Sequence, residues 1–587
     1  MNTSWIGGRG FACVVVCSTL LAITLLPRAS LAQAPAVTIT KTTAAPYRTI
    51  SSIAAVPPPS ATNRLGPAVK KPFRTRDHAD DAQDMSSPSA TAIQVQIQGP
   101  DQTPNQGANQ PILPEITFNG LSNALCDIVN GGIDFRPSDM ALAVGQRHEG
   151  VLQAVNDCIG VFDKSGNLET YTSTPLFFGV DPVANPLTAD PRLIYDWTNH
   201  RFLFLVATYP VSCTLTSPCT GPAFYNLAVS RTENPAGSWC MYQLNVATTP
   251  NPQGVAPERG FLFPDFPRLG QDREAVYLAS NLFLGDSSDS FKGEEIIALR
   301  KADLYECRTA RRTSFTGPGI NSGVRAFTLQ PVNMLEERGR SDHAPKSMYF
   351  ISSYSATLST KTNQLNLAAI HDPFGNPSYS QVTILGKNTY SRCPLALQKG
   401  GTPAQFLETD DARISATPHY AGGSIYAALN TLSGNFSCGV ILYQVEPVVD
   451  TSETATDGRI IGGRVLNEVF LTVGDKQMLF YPALVADREG NSVAVMGFSS
   501  DNSYASVLTW SHLARDPFGT IDSGVIVQAG LGIYGGGRWG DYFATAPGGR
   551  NGGPLMWFAG QYASDNPGQW KTTIGGTRLR QDEAELP

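Results

Sequence analysis

The chain has 587 residues, of which 16% are charged, and its formal net charge is −7. This acidic balance argues against nucleic acid or an anionic membrane surface as a partner. Glycine (55 residues) and proline (42 residues) are abundant, which is typical of an all-β protein with many turns rather than a helical one.

The first 32 residues have the pattern of a signal peptide. Arg9 precedes an apolar run over residues 11–26, and Ser30-Leu31-Ala32 provides the small residues that a signal peptidase requires. We therefore expect cleavage after residue 32 and a secreted, periplasmic or cell-envelope location. A signal anchor is the alternative reading, and no later run reaches the roughly 18 continuous apolar residues of a membrane helix.

Residues 33–114 are rich in Ala, Thr, Ser, Pro and Gln, with no sustained apolar period. This composition predicts a flexible, disordered spacer. From residue 115 to 587, short runs of Val, Ile, Leu, Phe and Tyr recur between turn signals, for example FLFLVATY and SVAVMGFS. Such runs predict strands, and long helical patterns are absent from the sequence.

Two markers repeat along this second part. The first is a turn with Asn or Asp, then Pro, then Gly, which suits a type I turn because proline presets the dihedral angle and the Asn or Asp side chain bonds to the backbone. Its copies begin at Asn234, Asp372, Asp516 and, in a shortened form, Asn566.

The second marker is an acidic residue just before a strand. With a further start near Tyr481 that lacks the acid, it predicts seven repeats. The acidic starts are Asp139, Asp190, Asp265, Asp342, Asp410 with Asp411, and Asp541.

A repeated unit of about four antiparallel strands predicts a β-propeller of about seven four-stranded blades, following the spacer. The units are longer than the common propeller repeats, which inserted loops would explain. A pair of β-sandwiches is the alternative, and it predicts no regular recurrence of the acidic starts.

Eight cysteines follow the signal segment. An even number in an exported chain favours disulfide bonds, and the absence of a CxxC pair or clustered histidines argues against zinc. The sequence thus predicts no metal and no cofactor. It does not define the pairing, although Cys213 and Cys219 are close enough to close a small loop. The eight are Cys126, Cys158, Cys213, Cys219, Cys240, Cys307, Cys393 and Cys438.

Several segments together resemble a group of exported, propeller-like bacterial proteins, largely without an assigned activity. They include DMALAVGQRHEGVLQAVND, DPRLIYDWTNHRFLF, FPDFPRLG, YPALVADREGN and RWGDYFATA, and the resemblance extends from about Phe118 to Gly576. It implies the propeller fold and export. The chain departs from the group's pattern at Arg136-Pro137-Ser138-Asp139, where two prolines commonly precede the acid.

The acidic starts should form a ring at one mouth of the propeller channel, and arginines accompany them. In the structural interpretation, Asp accepts backbone N–H bonds and Arg pairs with the Asp of a neighbouring blade. In the functional interpretation, the arginines bind an anionic ligand beside carboxylates suited to acid–base chemistry. The predicted ligand-binding residues are Asp190, Arg192, Asp265, Arg268, Asp411, Arg413, Arg538 and Asp541.

Two functions remain open from the sequence. The first is a secreted binding or scaffold module with an extracellular or envelope glycan, or another anionic ligand, as partner. The alternative is an enzyme that cleaves an acidic polysaccharide at the channel mouth. Tyr542 and Tyr481 are the candidate nucleophiles by analogy with sialidases, although no SxDxGxxW box is present. Trp239, Trp539, Trp557 and Trp570 could stack on sugars or fill gaps between blades.

Overall fold

The structure is a computed structural model. The residues that it describes are 37–56, 93–94, 97–98, 112–131, 135–146, 150–180, 186–210, 224–246, 262–284, 291–317, 320–321, 324–334, 347–354, 360–434, 437–450, 458–515, 524–535, 538–548 and 555–579.

Over these residues the chain forms seven antiparallel blades of four main strands, which we number 1 to 7; the four strands are consecutive in sequence in all blades except the last. Five short or N-terminal strands precede blade 1: β1 (Thr38–Ala44), β2 (Pro46–Ile50), β3 (Ile93–Gln94), β4 (Ile97–Gln98) and β5 (Ile116–Ser122). Blade 1 contains β6 (Ala141–Val144), β7 (Val151–Ala154), β8 (Cys158–Phe162) and β9 (Leu168–Ser173). Blade 2 contains β10 (Pro186–Asp196), β11 (Arg201–Pro210), β12 (Phe224–Ser230) and β13 (Trp239–Asn245). Blade 3 contains β14 (Leu262–Gln271), β15 (Ala275–Leu284), β16 (Phe291–Arg300) and β17 (Ala310–Thr316).

The remaining four blades follow the same order. Blade 4 contains β19 (Val324–Pro331), β21 (Ser347–Tyr354), β22 (Thr362–His371) and β23 (Ser378–Tyr390), with the short strands β18 (Ile320–Asn321) and β20 (Asn333–Met334) at the ends of β19. Blade 5 contains β24 (His419–Ala421), β25 (Ser424–Ser433), β26 (Ser437–Val449) and β27 (Ile460–Thr472). Blade 6 contains β28 (Gln477–Ala486), β29 (Ser492–Ser500), β30 (Ser503–His512) and β31 (Gly524–Gln528). Blade 7 contains β32 (Ala544–Pro547), β33 (Leu555–Ala563), β34 (Trp570–Arg578) and, as its outer strand, β5.

The first strands of the blades form a closed ring around a central channel. Each contacts the first strand of the next blade, and β32 contacts β6, which closes the ring. Short parallel pairings join Gln271 to Asn333, and join Asn333 and Met334 to His419 and Tyr420. The fold is therefore the predicted β-propeller, and β5 closes it by completing the last blade. The helices are short: α1 (Asn123–Val129), α2 (Thr174–Phe178) and α3 (Lys301–Tyr305). None of the helices in the described part is long and apolar enough to span a membrane.

Burial explains why the inner and outer strands have different sequence patterns. Inner and middle strands such as β6 and β29 are buried on both faces, so they appear in the sequence as continuous apolar or small-residue runs. The outer strand β23 alternates buried and exposed positions over its second half, because only one of its faces meets the core.

Two N-terminal strands lie within the predicted spacer. β1 pairs antiparallel with β17 at the outer edge of blade 3, and β2 pairs with β13 at the outer edge of blade 2. For residues 38–50 the spacer prediction is therefore wrong. Most side chains of β1 are exposed, so this Thr-rich edge strand shows no apolar period in the sequence.

The acidic marker misplaced the start of blade 4. The inner strand is β19, whereas Asp342 lies outside the described residues, between β20 and the second strand β21. The inner strand has Thr328 at the position where blades 1, 2 and 5 have an acid, so a search for acids passed over it. The turn at Asn566 also joins second and third strands, whereas those at Asn234 and Asp372 join third and fourth strands. The copy at Asp516 lies outside the described residues.

Three disulfide bonds are present in the described part of the chain, as an exported chain predicts. They are Cys126–Cys158, Cys240–Cys307 and Cys393–Cys438. The second joins β13 of blade 2 to the residues after α3 of blade 3, so it links adjacent blades. Cys213 and Cys219 lie outside the described residues.

Candidate functional site

Each inner strand has one residue with a positive φ angle, which lies within the strand in blades 2, 3, 4 and 6 and before it in blades 1, 5 and 7. In blades 2, 3, 4 and 6 the strand register also shifts there, as in a β-bulge, and a bulge redirects neighbouring side chains. We call this end of the channel the bulge end. The seven residues are Asp139, Asp190, Phe266, Thr328, Asp410, Tyr481 and Gly540. Asp tolerates this conformation better than bulky residues do, so the acidic marker found the feature in some blades and missed it in others.

Three buried carboxylates from blades 1, 2 and 7 meet at the bulge end. One ligand atom from each of Asp139, Asp190 and Asp541 lies within 4.8 Å of the others. Asp139 accepts the backbone N–H of Asp541 at 2.8 Å and the Asn156 amide at 2.8 Å, while Asn156 Oδ1 accepts the Asp190 N–H at 2.7 Å. The cluster thus ties three blades together. These oxygen atoms could also hold a divalent cation, whereas the sequence predicts no metal.

Arg538 links two other elements of the ring. Its Nη2 donates to Asp541 Oδ1 at 2.6 Å and its Nε donates to Glu408 Oε2 at 2.9 Å. The Arg538 side chain is 18% exposed. Glu408, which the sequence did not indicate as a site residue, lies two residues before the bulge of blade 5.

Arg413 holds two adjacent carboxylates. Its Nη2 lies 3.0 Å from Asp410 Oδ2, and its Nε donates to Asp411 Oδ1 at 2.7 Å. The Asp410 and Asp411 side chains are 25% and 19% exposed, respectively. Burial, followed by the charges of Asp411 and other nearby carboxylates, raises the pKa of Asp410 to about 7, against the opposite effect of Arg413. Asp410 can therefore exchange a proton near neutral pH.

Arg268 does not join the predicted ring of ligand-binding arginines. Its fully buried guanidinium donates to Glu294 Oε2 at 3.0 Å and to Asn281 Oδ1 at 2.8 Å inside blade 3. Burial raises the pKa of Glu294 to about 7, while Arg268 and the backbone N–H of Leu329 act to lower it. Arg268 is therefore a structural residue. Asp265 is half-buried and pairs across the strands with Asn281.

Arginines and aromatic rings from five blades cross the channel next to these carboxylates. The Arg192 guanidinium lies 3.5 Å from the Tyr542 ring centroid and 4.8 Å from that of Phe266. Arg413 lies 4.7 Å from the Phe266 centroid and 5.0 Å from that of Phe327. We call these five side chains the aromatic–arginine cluster. Phe266 contacts both guanidinium groups, so the cluster is continuous across the channel.

A pocket lies along the channel on the other side of Arg192 and Tyr542. It measures about 490 Å³ when the space open to solvent is included. Its wall is formed by the inner strands β6, β10 and β32 together with Asn333, Thr417 and His419. His419 and Thr545 lie toward the far end of the channel. Burial lowers the pKa of His419 to about 4, so this imidazole is neutral at physiological pH.

Several residues named from the sequence are core residues. The four tryptophans Trp239, Trp539, Trp557 and Trp570 are fully buried and pack in the hydrophobic core, so they offer no stacking surface for a sugar. Tyr542 is buried and its hydroxyl donates to Pro191 O at 3.0 Å, and the Tyr481 hydroxyl donates to Glu408 O at 3.2 Å. These hydrogen bonds do not support a nucleophilic role.

Of the predicted ligand-binding residues, Asp411, Arg413, Arg538 and Asp541 come together with Asp410 and Glu408 at the bulge end. Asp190 and Arg192 are buried nearby, and Arg268 is enclosed within blade 3. The sequence analysis missed Glu408 and Phe266. Glu408 lies three residues before Asp411 and was detectable as part of the same acidic stretch, whereas the shared position of Phe266 had no signal in the sequence.

Comparisons with known proteins find only remote similarity. No protein-family profile and no curated protein matches the chain. Similar solved structures include a protein of unknown function from Dyadobacter fermentans, with 11% identity over 67% of this chain and 96% of that chain and a TM-score of 0.33. Trypanosoma rangeli sialidase has 6% identity over 71% of this chain and 57% of its own, with a TM-score of 0.30. Drosophila Semaphorin 1a has 9% identity over 74% and 84%, with a TM-score of 0.32. These scores are too low to bear on function.

Proposed function

We propose that this chain is an exported β-propeller that acts as a binding or scaffold module, with an extracellular or envelope glycan as its ligand. The observation that supports a binding site is the contrast within the ring. Asp190, Arg192 and Arg268 are sealed, with at most 3% exposure. Glu408, Asp410, Asp411, Arg413 and Arg538 keep side chains that are 11–25% exposed. We call these five residues the open charged group.

The chemistry of the open charged group suits a hydroxyl-rich, uncharged ligand. Each guanidinium is already paired with two carboxylates, which offset its positive charge, although Arg538 Nη1 has no hydrogen-bond partner among the described residues. Carboxylate oxygens accept hydrogen bonds from hydroxyl groups, and ionised acceptors form the stronger bonds. A neutral glycan is therefore favoured over the acidic sugar that the sequence suggested for this ring.

Glycoside cleavage is the second candidate, and the pKa of Asp410 favours it. A carboxyl group with a pKa of about 7 can serve as a general acid beside ionised carboxylates. However, Asp410 and Asp411 share the same Arg413 nitrogen atom, so they lie side by side. A glycosidase pair instead flanks the scissile bond from opposite sides, roughly 5 to 9.5 Å apart. Binding is therefore the better-supported function.

A glycan panel tested against the full chain and an Asp411→Asn variant distinguishes these functions. We expect saturable binding to a neutral glycan and about a tenfold weaker affinity in the variant, which corresponds to about 1.4 kcal/mol. The matched control is Arg464→Ala, which removes an exposed ion pair with Glu446 at the outer edge of blade 5. Equal affinities in wild type and Asp411→Asn, with a lowered melting temperature, would assign the group a structural role. New oligosaccharide products in mass spectra, lost in Asp410→Asn, would instead establish cleavage.

A further inference from the structure

Arg192 is a buried guanidinium that, among the described residues, forms hydrogen bonds only to backbone carbonyl groups. The residue is 3% exposed, its Nε donates to Pro267 O at 3.0 Å, and its Nη1 donates to Ser415 O at 3.0 Å. Its Nη2 has no hydrogen-bond partner among the described residues. Arg268, Arg413 and Arg538 each form an ion pair, whereas no carboxylate in the described part of the chain does so with Arg192.

A buried charge without a counter-charge is costly, because water that would solvate it has been removed. The rings of Tyr542 and Phe266 offset part of this cost through cation–π contacts. They supply no hydrogen-bond acceptor for Nη2. The site therefore has both unused positive charge and an unused donor.

The channel pocket places this donor next to space for a ligand. Arg192 and Tyr542 lie in its wall together with apolar side chains such as Leu142, Leu193 and Phe543. In such a water-poor setting the attraction between a guanidinium and an anion is several times stronger than at the surface.

His419 adds an acceptor in the wall of the same pocket. The residue is 3% exposed, its Nε2 lies 3.3 Å from Thr545 Oγ1, and its Nδ1 has no hydrogen-bond partner among the described residues. With Nε2 directed to Thr545 and the ring neutral, Nδ1 offers a lone pair to a donor. A ligand that forms hydrogen bonds with both Arg192 Nη2 and His419 Nδ1 needs a negatively charged acceptor and a hydroxyl group.

We infer that the channel pocket is a second ligand site, separate from the open charged group, which binds a small hydroxy-carboxylate. The carboxylate accepts a hydrogen bond from Arg192 Nη2, and the hydroxyl donates to His419 Nδ1. The ligand is either a free short acid or the acid end of a larger molecule that enters from the far end of the channel. This site does not depend on the proposed glycan function.

Calorimetric titration of the full chain tests the inference with three sodium salts, at matched ionic strength in sodium chloride. Glycolate carries both groups, acetate lacks the hydroxyl, and glucuronate presents the acid on a larger molecule. We expect saturable glycolate binding and at least about tenfold weaker acetate binding, since one hydrogen bond that satisfies a buried group is worth about this factor. Binding of glucuronate as well as glycolate assigns the acid end of a larger molecule, and its absence assigns a free short acid.

Two variants identify the residues. Arg192→Met keeps an unbranched side chain between the two rings and should abolish binding of glycolate and acetate. His419→Phe should weaken glycolate to the level of acetate and leave acetate unchanged. Absence of saturable glycolate binding to the wild type, or undiminished binding to a folded Arg192→Met protein, overturns the inference. If Arg192→Met does not fold, His419→Phe still decides the matter, because equal glycolate affinity in wild type and His419→Phe also overturns it.

Discussion

Arg413 and Arg192 lie against the same ring, Phe266, yet their surroundings differ. Arg413 faces the bulge end and is held by the carboxylates of Asp410 and Asp411. Arg192 faces the channel pocket and bonds only to carbonyl oxygen atoms. The comparison shows that a residue's place in the propeller ring does not decide its role. Whether a buried arginine can still bind a ligand depends on whether carboxylates already compensate its charge.

The fully buried ion pair between Arg268 and Glu294 in blade 3 extends the comparison to an enclosed arginine. Breaking this pair gives the largest expected effect on stability. Arg268→Met leaves Glu294 fully buried without its counter-charge, so we expect a loss of about 3–5 kcal/mol in the free energy of unfolding. Denaturant unfolding at neutral pH measures it. The double variant Arg268→Met with Glu294→Gln is the control and should recover part of the loss. A single variant as stable as wild type would contradict the structural role of Arg268.

Arg413→Met should cost less than Arg268→Met. It also exposes two carboxylates to mutual repulsion, but these side chains reach solvent and Asp410 can take up a proton, so we expect a loss of about 2–3 kcal/mol. Denaturant unfolding of wild type and variant at pH 7 and at pH 5 measures the size of the loss and tests whether carboxylate repulsion causes it. The loss should shrink at the lower pH, and a loss that grows there would refute the charge-based explanation.

The raised pKa of Glu294 makes stability depend on pH with a definite sign. The folded protein holds this proton more tightly than the unfolded chain does, so the contribution is present below about pH 4.3 and is lost as pH rises through about 7. A shift of this size corresponds to about 3 kcal/mol. His419, with its lowered pKa, contributes the opposite slope between about pH 4 and 6.5. Subtracting the Glu294→Gln profile from the wild-type profile isolates the Glu294 contribution. A flat difference would show that Glu294 keeps its ordinary pKa.

Arg192→Met should have the smallest effect on the folded protein without added carboxylates. Removal of an uncompensated charge offsets the lost hydrogen bonds to Pro267 and Ser415, so we expect a change within about 1 kcal/mol. Thermal unfolding in chloride buffer measures it. A loss as large as that of Arg413→Met would show that Arg192 is compensated in a way similar to Arg413, and would remove the difference between the two residues.

The repeated pattern allowed much of the fold to be predicted. Apolar runs separated by turns predicted the strands, and the starts near Asp139, Asp190 and Asp541 predicted blades that the structure contains. The predictions failed where a backbone conformation is kept but the residue type changes, and where a strand is exposed. In blade 4 the left-handed position is occupied by Thr328 and not by an acid, and β1 is an exposed edge strand that needs no apolar alternation.

The candidate site was only partly predictable, for a related reason. Arg192, Arg268 and Arg413 follow their acids at nearly the same spacing, which the sequence treats as one feature. Their partners come from positions as distant as Ser415 for Arg192 and Glu294 for Arg268. No local pattern encodes those contacts, so the sequence alone could not separate a structural arginine from one that can bind a ligand.

The sequence by itself determined the all-β repeat, its strand periodicity and its turn chemistry, because these depend on residues that are neighbours along the chain. Only the tertiary structure decided which carboxylate meets which guanidinium, how deeply each is buried, and that Phe266 lies between two arginines. Charge compensation is a property of groups brought together from different blades. The energy of a buried charge is therefore set when the ring closes and not by the strand that carries it.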